Sequence, residues 1–181
     1  VADSIISNIS ITGDSKENTV VYFESANTPN TASVGGLIGA LWTRKLANQV
    51  LLSSANIQYI HVAGKAYSNR QTGNDTYDIY VGGAIGVFAN PTPSPNVYRG
   101  TFIEHITVKN SVIESIGENQ MLTYAGGIVA GMWWHSRTNL SYTIVQDCAV
   151  TASSITAKAY AGGITGLMQN SNINHTLVQN T

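Results

Sequence analysis

The residues able to do chemistry in this chain are few and scattered. Its four histidines are His61, His105, His135 and His175. No His-Glu-x-x-His phrase joins any two of them, and a single cysteine, Cys148, excludes a Cys-x-x-Cys pair. Zinc therefore has no local signature. His61, His105 and His175 fall in comparable strand-like stretches, which reads as a recurring polar face position, whereas a metal needs convergent ligands. Ten acidic residues are spread along the chain. Cleavage of a glycosidic bond needs two carboxylates flanking it. Glu104 and Asp147 are the only acids at roughly equivalent repeat positions, with Glu114 near them in sequence, and they read as solvated strand residues. No Gly-x-Ser-x-Gly elbow is present. The expectation is a protein without catalytic residues, cofactor or metal.

Aromatic residues form the more informative set. Tyr80, Tyr124 and Tyr160 each stand two residues before a Gly-Gly pair, and Trp42, Phe88, Trp133 and Met168 follow at nearly matched offsets. Such ladders are simply explained by stacking of large side chains. Trp133-Trp134-His135 departs from the pattern, because Ala130 adds a residue to its copy and shifts the register. Adjacent strand residues point to opposite faces, so one tryptophan of the pair is expected outside, as a candidate contact for sugar or protein. Asn-x-Ser/Thr phrases begin at Asn8, Asn74, Asn139 and Asn174. With 17 Asn and 35 Ser plus Thr, about three would arise by chance. Asn74 and Asn139 read as loop residues and would be the glycosylated ones.

What must position these residues is a repeat. One phrase occurs four times: Ser33-Val34-Gly35-Gly36-Leu37-Ile38-Gly39, Tyr80-Val81-Gly82-Gly83-Ala84-Ile85-Gly86, Tyr124-Ala125-Gly126-Gly127-Ile128-Val129-Ala130-Gly131 and Tyr160-Ala161-Gly162-Gly163-Ile164-Thr165-Gly166. Self-similarity of this kind marks a stacked architecture. No copy precedes a helical pattern, so the glycines do not read as a dinucleotide fingerprint. Between the phrases lie β-branched stretches of period two, such as Ile57–Val62, Phe102–Val108 and Thr143–Val150, with fainter copies at Ile5–Ile11 and Ile173–Val178. A third element, Asn110–Ser115, matches Ala152–Ala157. Each unit then offers about three strands, and one unit cannot bury its inner face alone. The reading is an all-β chain: residues 1–181 form a single β-solenoid domain, a right-handed parallel β-helix of about four irregular coils. The paired glycines Gly35, Gly36, Gly82, Gly83, Gly126, Gly127, Gly162 and Gly163 are expected at its corners. Polar or proline-rich inserts at 69–75 and 90–96 leave the ladder.

Composition agrees. Charged residues are 10% of the chain against a usual quarter or so, while 43% are apolar. The net charge of −1 makes no case for nucleic acid or an anionic membrane. No apolar stretch reaches the roughly 18 residues a membrane span requires. Cys148 sits in a strand-like run and reads as a buried, inert thiol. Strand copies lie near both termini without a capping helix, so the ends are expected to abut further coils of a longer chain or another protomer.

The repeated Tyr-Val/Ala-Gly-Gly phrase resembles the GLUG motif found in repeat regions of bacterial surface adhesins and immunoglobulin A peptidases. The resemblance rests on those four phrases. It implies a secreted or cell-surface β-solenoid stalk or filament segment. The partners implied are neighbouring coils, identical protomers end to end, or a host glycan or protein. It transfers no catalytic residue. The alternative reading is a carbohydrate-binding or carbohydrate-cleaving β-helix.

Overall fold

The structure, a computed structural model, describes residues 4–15, 20–25, 32–42, 50–67, 77–89, 101–118, 121–133, 138–154, 158–168 and 171–181. Over these residues the period-two apolar pattern and the wealth of β-branched side chains give strands and no helix. The first coil contains β1 (Ser4–Thr12), β2 (Val20–Ser25), β3 (Ala32–Gly35) and β4 (Ile38–Trp42). The second contains β5 (Val50–Gln58), β6 (His61–Tyr67), β7 (Tyr77–Gly82) and β8 (Ile85–Ala89). The third contains β9 (Thr101–Lys109), β10 (Val112–Glu118), β11 (Met121–Gly126) and β12 (Val129–Trp133). The fourth contains β13 (Thr138–Ser141), β14 (Ile144–Gln146), β15 (Ala149–Ser154), β16 (Ala159–Gly162) and β17 (Thr165–Met168). Then come β18 (Asn172–Asn174) and β19 (Leu177–Gln179).

Like strands of successive coils pair in parallel and in register, which makes the chain a β-solenoid with four sheets along its length. The first sheet stacks β1, β5, β9, the β13–β14 pair and the β18–β19 pair. The second stacks β2, β6, β10 and β15, the third β3, β7, β11 and β16, and the fourth β4, β8, β12 and β17. Each coil has four sides where the sequence suggests about three, because the glycine phrase is itself two strands joined at a corner. The stretch Ile57–Val62 also crosses a corner, between β5 and β6. Val112–Ser115 pairs with Ala149–Ala152, so the expected match of Asn110–Ser115 to Ala152–Ala157 is corrected by five residues.

The core is a set of ladders, each residue seated on its counterpart one coil away. Ile6, Leu52, Ile103, Leu140 and Ile173 form one rung series. Ile11, Ile57, Val108, Val145 and Val178 form another. Members in the middle coils are fully buried, so their apolar area is removed from water by neighbours above and below as well as across the core. Cys148 is buried in this core as a thiol, its Sγ donating to the carbonyl of Gln146 at 3.2 Å.

Two further columns bend at residues other than glycine. Asn8, Ser54, His105, Tyr142 and His175 sit at the same height in the first sheet, each with φ between 49° and 58°. Tyr59, Asn110, Asp147 and Asn180 hold the corner after it, with φ between 48° and 54°. Left-handed backbone at a non-glycine residue is uncommon and costs on the order of 1 kcal/mol or more. Here the bend recurs in register, so the neighbouring coil imposes the same conformation on each member.

The glycine pairs make the corner between the third and fourth sheets, as expected. Gly35, Gly82, Gly126 and Gly162 are aligned rung on rung. The amides of Gly36, Gly83 and Gly127 donate to the carbonyls of Gly82, Gly126 and Gly162 at 3.3, 3.0 and 3.2 Å. None of the eight has φ in the left-handed region; space is what demands glycine. A β-carbon on the first member of a pair would strike the carbonyl oxygen three residues on: Ile38, Ile85, Val129 or Thr165. A β-carbon on Gly36, Gly83 or Gly127 would strike the carbonyl oxygen of the second glycine in the next coil, Gly83, Gly127 or Gly163.

Candidate functional site

Two columns of rings run parallel to the solenoid axis. In the third sheet, Tyr80, Tyr124 and Tyr160 stack with centroid separations of 4.7 and 5.2 Å and interplanar angles of 5° and 8°. They stand in one rung series, preceded by Ser33. Strand spacing of about 4.8 Å within a sheet is what brings identical rings to stacking distance. Tyr80 and Tyr124, with Val87 and Ala130, form a second apolar cluster beside the main core.

In the first sheet, His105, Tyr142 and His175 stack at 5.1 and 4.9 Å with interplanar angles of 9° and 13°. These three are exposed and belong to the left-handed column. His105 and His175 are thus recurring face residues, as the sequence suggests, but the residue between them is a tyrosine. His61 belongs elsewhere: it lies in the second sheet, its Nε2 3.4 Å from Oε2 of Glu114. No group of three or more potential metal ligands occurs among the described residues.

At the foot of the tyrosine column is a carboxylate that sequence reasoning missed. Tyr80 donates its hydroxyl to Oδ2 of Asp78 at 3.0 Å, while Oδ1 is buried without a hydrogen-bond partner among the described residues. Desolvation raises the Asp78 carboxyl above its usual range, although the bond from Tyr80 pulls the other way. Burial likewise raises the Tyr80 phenol, helped by the Asp78 charge, and pushes the Tyr124 phenol up to about 12. Asp78-Ile79-Tyr80 carries the available signal, since residues two apart in a strand share a face. An acid whose pKa is raised on folding binds protons more tightly in the folded state. Its favourable contribution is complete below the unfolded pKa near 3.8 and is lost as pH rises through the folded value. Asp78→Asn is therefore expected to be more stable than the parent at pH 7, with the gap closing as pH falls toward 4. Thermal melts across that range check the sign, and a variant less stable at every pH would refute it.

The remaining sequence-derived residues are placed as follows. Glu104 aligns with Ser53 and Ser141 on the first sheet. Asp147 occupies the corner column instead, next above Asn110, and accepts from Asn180 Nδ2 at 2.9 Å. The two acids are not equivalent. Asn139 lies within β13, paired with Phe102 and Asn172, which corrects its assignment to a loop. Its strand, Thr138-Asn139-Leu140-Ser141, holds one apolar residue and is recognisable as a strand only through its neighbours. Asn74 lies outside the described residues.

Ala130 is not an insertion. Val129 pairs with Ile85 and Thr165, and Gly131 with Val87 and Leu167, so Ala130 stands where Gly86 and Gly166 stand. The true rung is Leu41, Phe88, Met132 and Met168, with Trp42, Ala89 and Trp133 one step on. Trp133 closes β12, and Trp134 and His135 lie outside the described residues. What the arrangement offers chemically is stacking and main-chain hydrogen bonding. No family model, no curated protein and no solved structure matches this chain.

Proposed function

We propose that the chain is a structural repeat segment of an extracellular surface adhesin, stalk or filament, acting as scaffold and interaction surface. The observation that carries this reading is the continuity of its ladders. Core aliphatics, glycine pairs and both ring columns run from coil to coil in register. Each of these residues meets its counterpart one coil away, as a stacked scaffold requires. The low charge and the resemblance to GLUG-motif repeats support a secreted or cell-surface setting, with neighbouring coils, like protomers, or a host glycan or protein as partners.

The ring columns also weigh against the alternative carbohydrate reading. Sugars stack on ring faces, and in both columns the faces are largely occupied by the next ring. Incubation with pectins, glucans and glycosaminoglycans is expected to release no new chain ends. Release that disappears in Glu104→Gln or Asp147→Asn would overturn the scaffold reading in favour of a carbohydrate-cleaving β-helix.

A further inference from the structure

The left-handed column of the first sheet places Asn8, Ser54 and His105 in successive layers, since Ser7, Ser53 and Glu104 align on one side of it and Ile9, Ala55 and Ile106 on the other. Their φ values of 58°, 55° and 56° make the backbone bend alike in each layer, and all three residues are exposed. Like bends aim like side chains, so the three project outward in parallel. From His105 upward every layer holds a ring, and the rings stack at 5.1 and 4.9 Å. At Ser54 the ring is missing. Strand spacing of about 4.8 Å puts Asn8 about 9.6 Å below His105, and a hydroxymethyl group fills only the back of the layer between them. The result is a slot one ring thick, roofed by the imidazole of His105, floored by Asn8 and backed by Ser54.

The slot lies inside the stack, between β1 below and β9 above. The tyrosine column of the third sheet also meets a serine, Ser33 beneath Tyr80, but Tyr80 is 1% exposed and its lower face is closed to solvent. The rim of the Ser54 slot decides what fits it. Ser53 flanks it in the same layer, with the carboxylate of Glu104 directly above in register, and Asn56 is exposed on the other side. An aromatic side chain seated there would take water from these polar groups without pairing them, which is costly. A pyranose with equatorial substituents sets an apolar C–H face against the imidazole and turns its hydroxyls to the rim, the usual division of labour in a small-molecule site. Glu104 repels an anionic sugar.

We propose that the Ser54 layer is a binding slot for one neutral pyranose residue of a glycan, seated beneath His105 where the column lacks a ring. Stacking on the imidazole supplies the affinity. The Glu104 carboxylate accepts from sugar hydroxyls, and Asn8, Ser53 and Asn56 hold the others. The sugar is bound and not cleaved. This assignment rests on the scaffold reading and names the class of glycan that the scaffold meets, and the place. It also marks the exception to the occupied ring faces of both columns, because the lower face of His105 has no ring beneath it.

The test titrates the intact chain with cellotetraose and chitotetraose, following the imidazole protons of His105 by NMR and the affinity by calorimetry. Saturable binding of at least one, with a shift at His105, is expected. Ser54→Tyr supplies the missing ring from the chain itself. Tyr142 shows that the column takes a tyrosine at φ 52°, so circular dichroism and the urea midpoint should hold while binding falls at least tenfold. His105→Ser, a change at an exposed side chain, removes the roof without adding bulk and should weaken binding as much. An oligogalacturonate should bind at least tenfold more weakly than the neutral sugars, and equal binding would overturn the choice of a neutral residue. No saturable binding of either neutral sugar, or binding that both variants leave unchanged, overturns the slot. If no sugar is cleaved meanwhile, the scaffold reading stands without it. Binding of p-cresol at His105 in place of both sugars would overturn the assigned ligand in favour of an aromatic side chain of a protein partner.

Discussion

Gly83→Val is expected to lower the free energy of unfolding by more than about 3 kcal/mol, since overpacking a core with flexible neighbours alone costs about 1–3 kcal/mol. Here the added carbon meets the carbonyl oxygen of Gly127 and lies 3.0 Å from Cγ1 of Val108. A side chain can change rotamer, but this carbonyl is pinned, because Gly127 is itself held by its bond to Gly162. Relief would require the second and third coils to separate at the corner, breaking the Gly83–Gly126 bond and the paired bonds to the Ile128 carbonyl. Urea denaturation followed by circular dichroism measures the loss. A shift below about 1 kcal/mol, the size of an ordinary surface change or less, would mean that the corner is open and that the aligned glycines do not close it.

Ile103→Ala should carry the second-largest effect, about 3 kcal/mol, within the range for emptying a fully buried aliphatic site. Ile103 is completely buried, with Leu52 below and Leu140 above in its rung series. The same change at Ile173, the uppermost and partly buried member of that series, should cost about 1 kcal/mol, because less apolar area is withdrawn from water there. Equilibrium unfolding of the two variants side by side gives the comparison. Equal losses would show that burial is set within a coil and not between coils, contrary to a stack of mutually supporting layers.

The sequence by itself was enough to determine the all-β class, the parallel stack and the corner glycines. A period of two with β-branched residues excludes helices, and four copies of one phrase leave stacking as the economical way to bury them. The tyrosine column was legible for the same reason, because Tyr80, Tyr124 and Tyr160 hold one position relative to their glycines. Tertiary structure alone decided the rung register. Loops of unequal length are absorbed outside the coil, so counting along the chain misplaced Ala130, read Asn139 as a loop residue, and treated Glu104 and Asp147 as equivalent. The left-handed columns went unread because Ser54, Tyr59 and Tyr142, which have no preference for that conformation, interrupt the Asn, Asp and His residues that do; at those three the matching bend in the adjacent coil supplies it. Burial was undecided in the same way. Tyr80 and Tyr160 stand in copies of the same phrase and differ in exposure because, among the described residues, a ring covers the upper face of Tyr80 and none covers that of Tyr160. In a stacked fold the partners of a residue lie some forty residues away in sequence, and local pattern specifies the strand but not what rests on it.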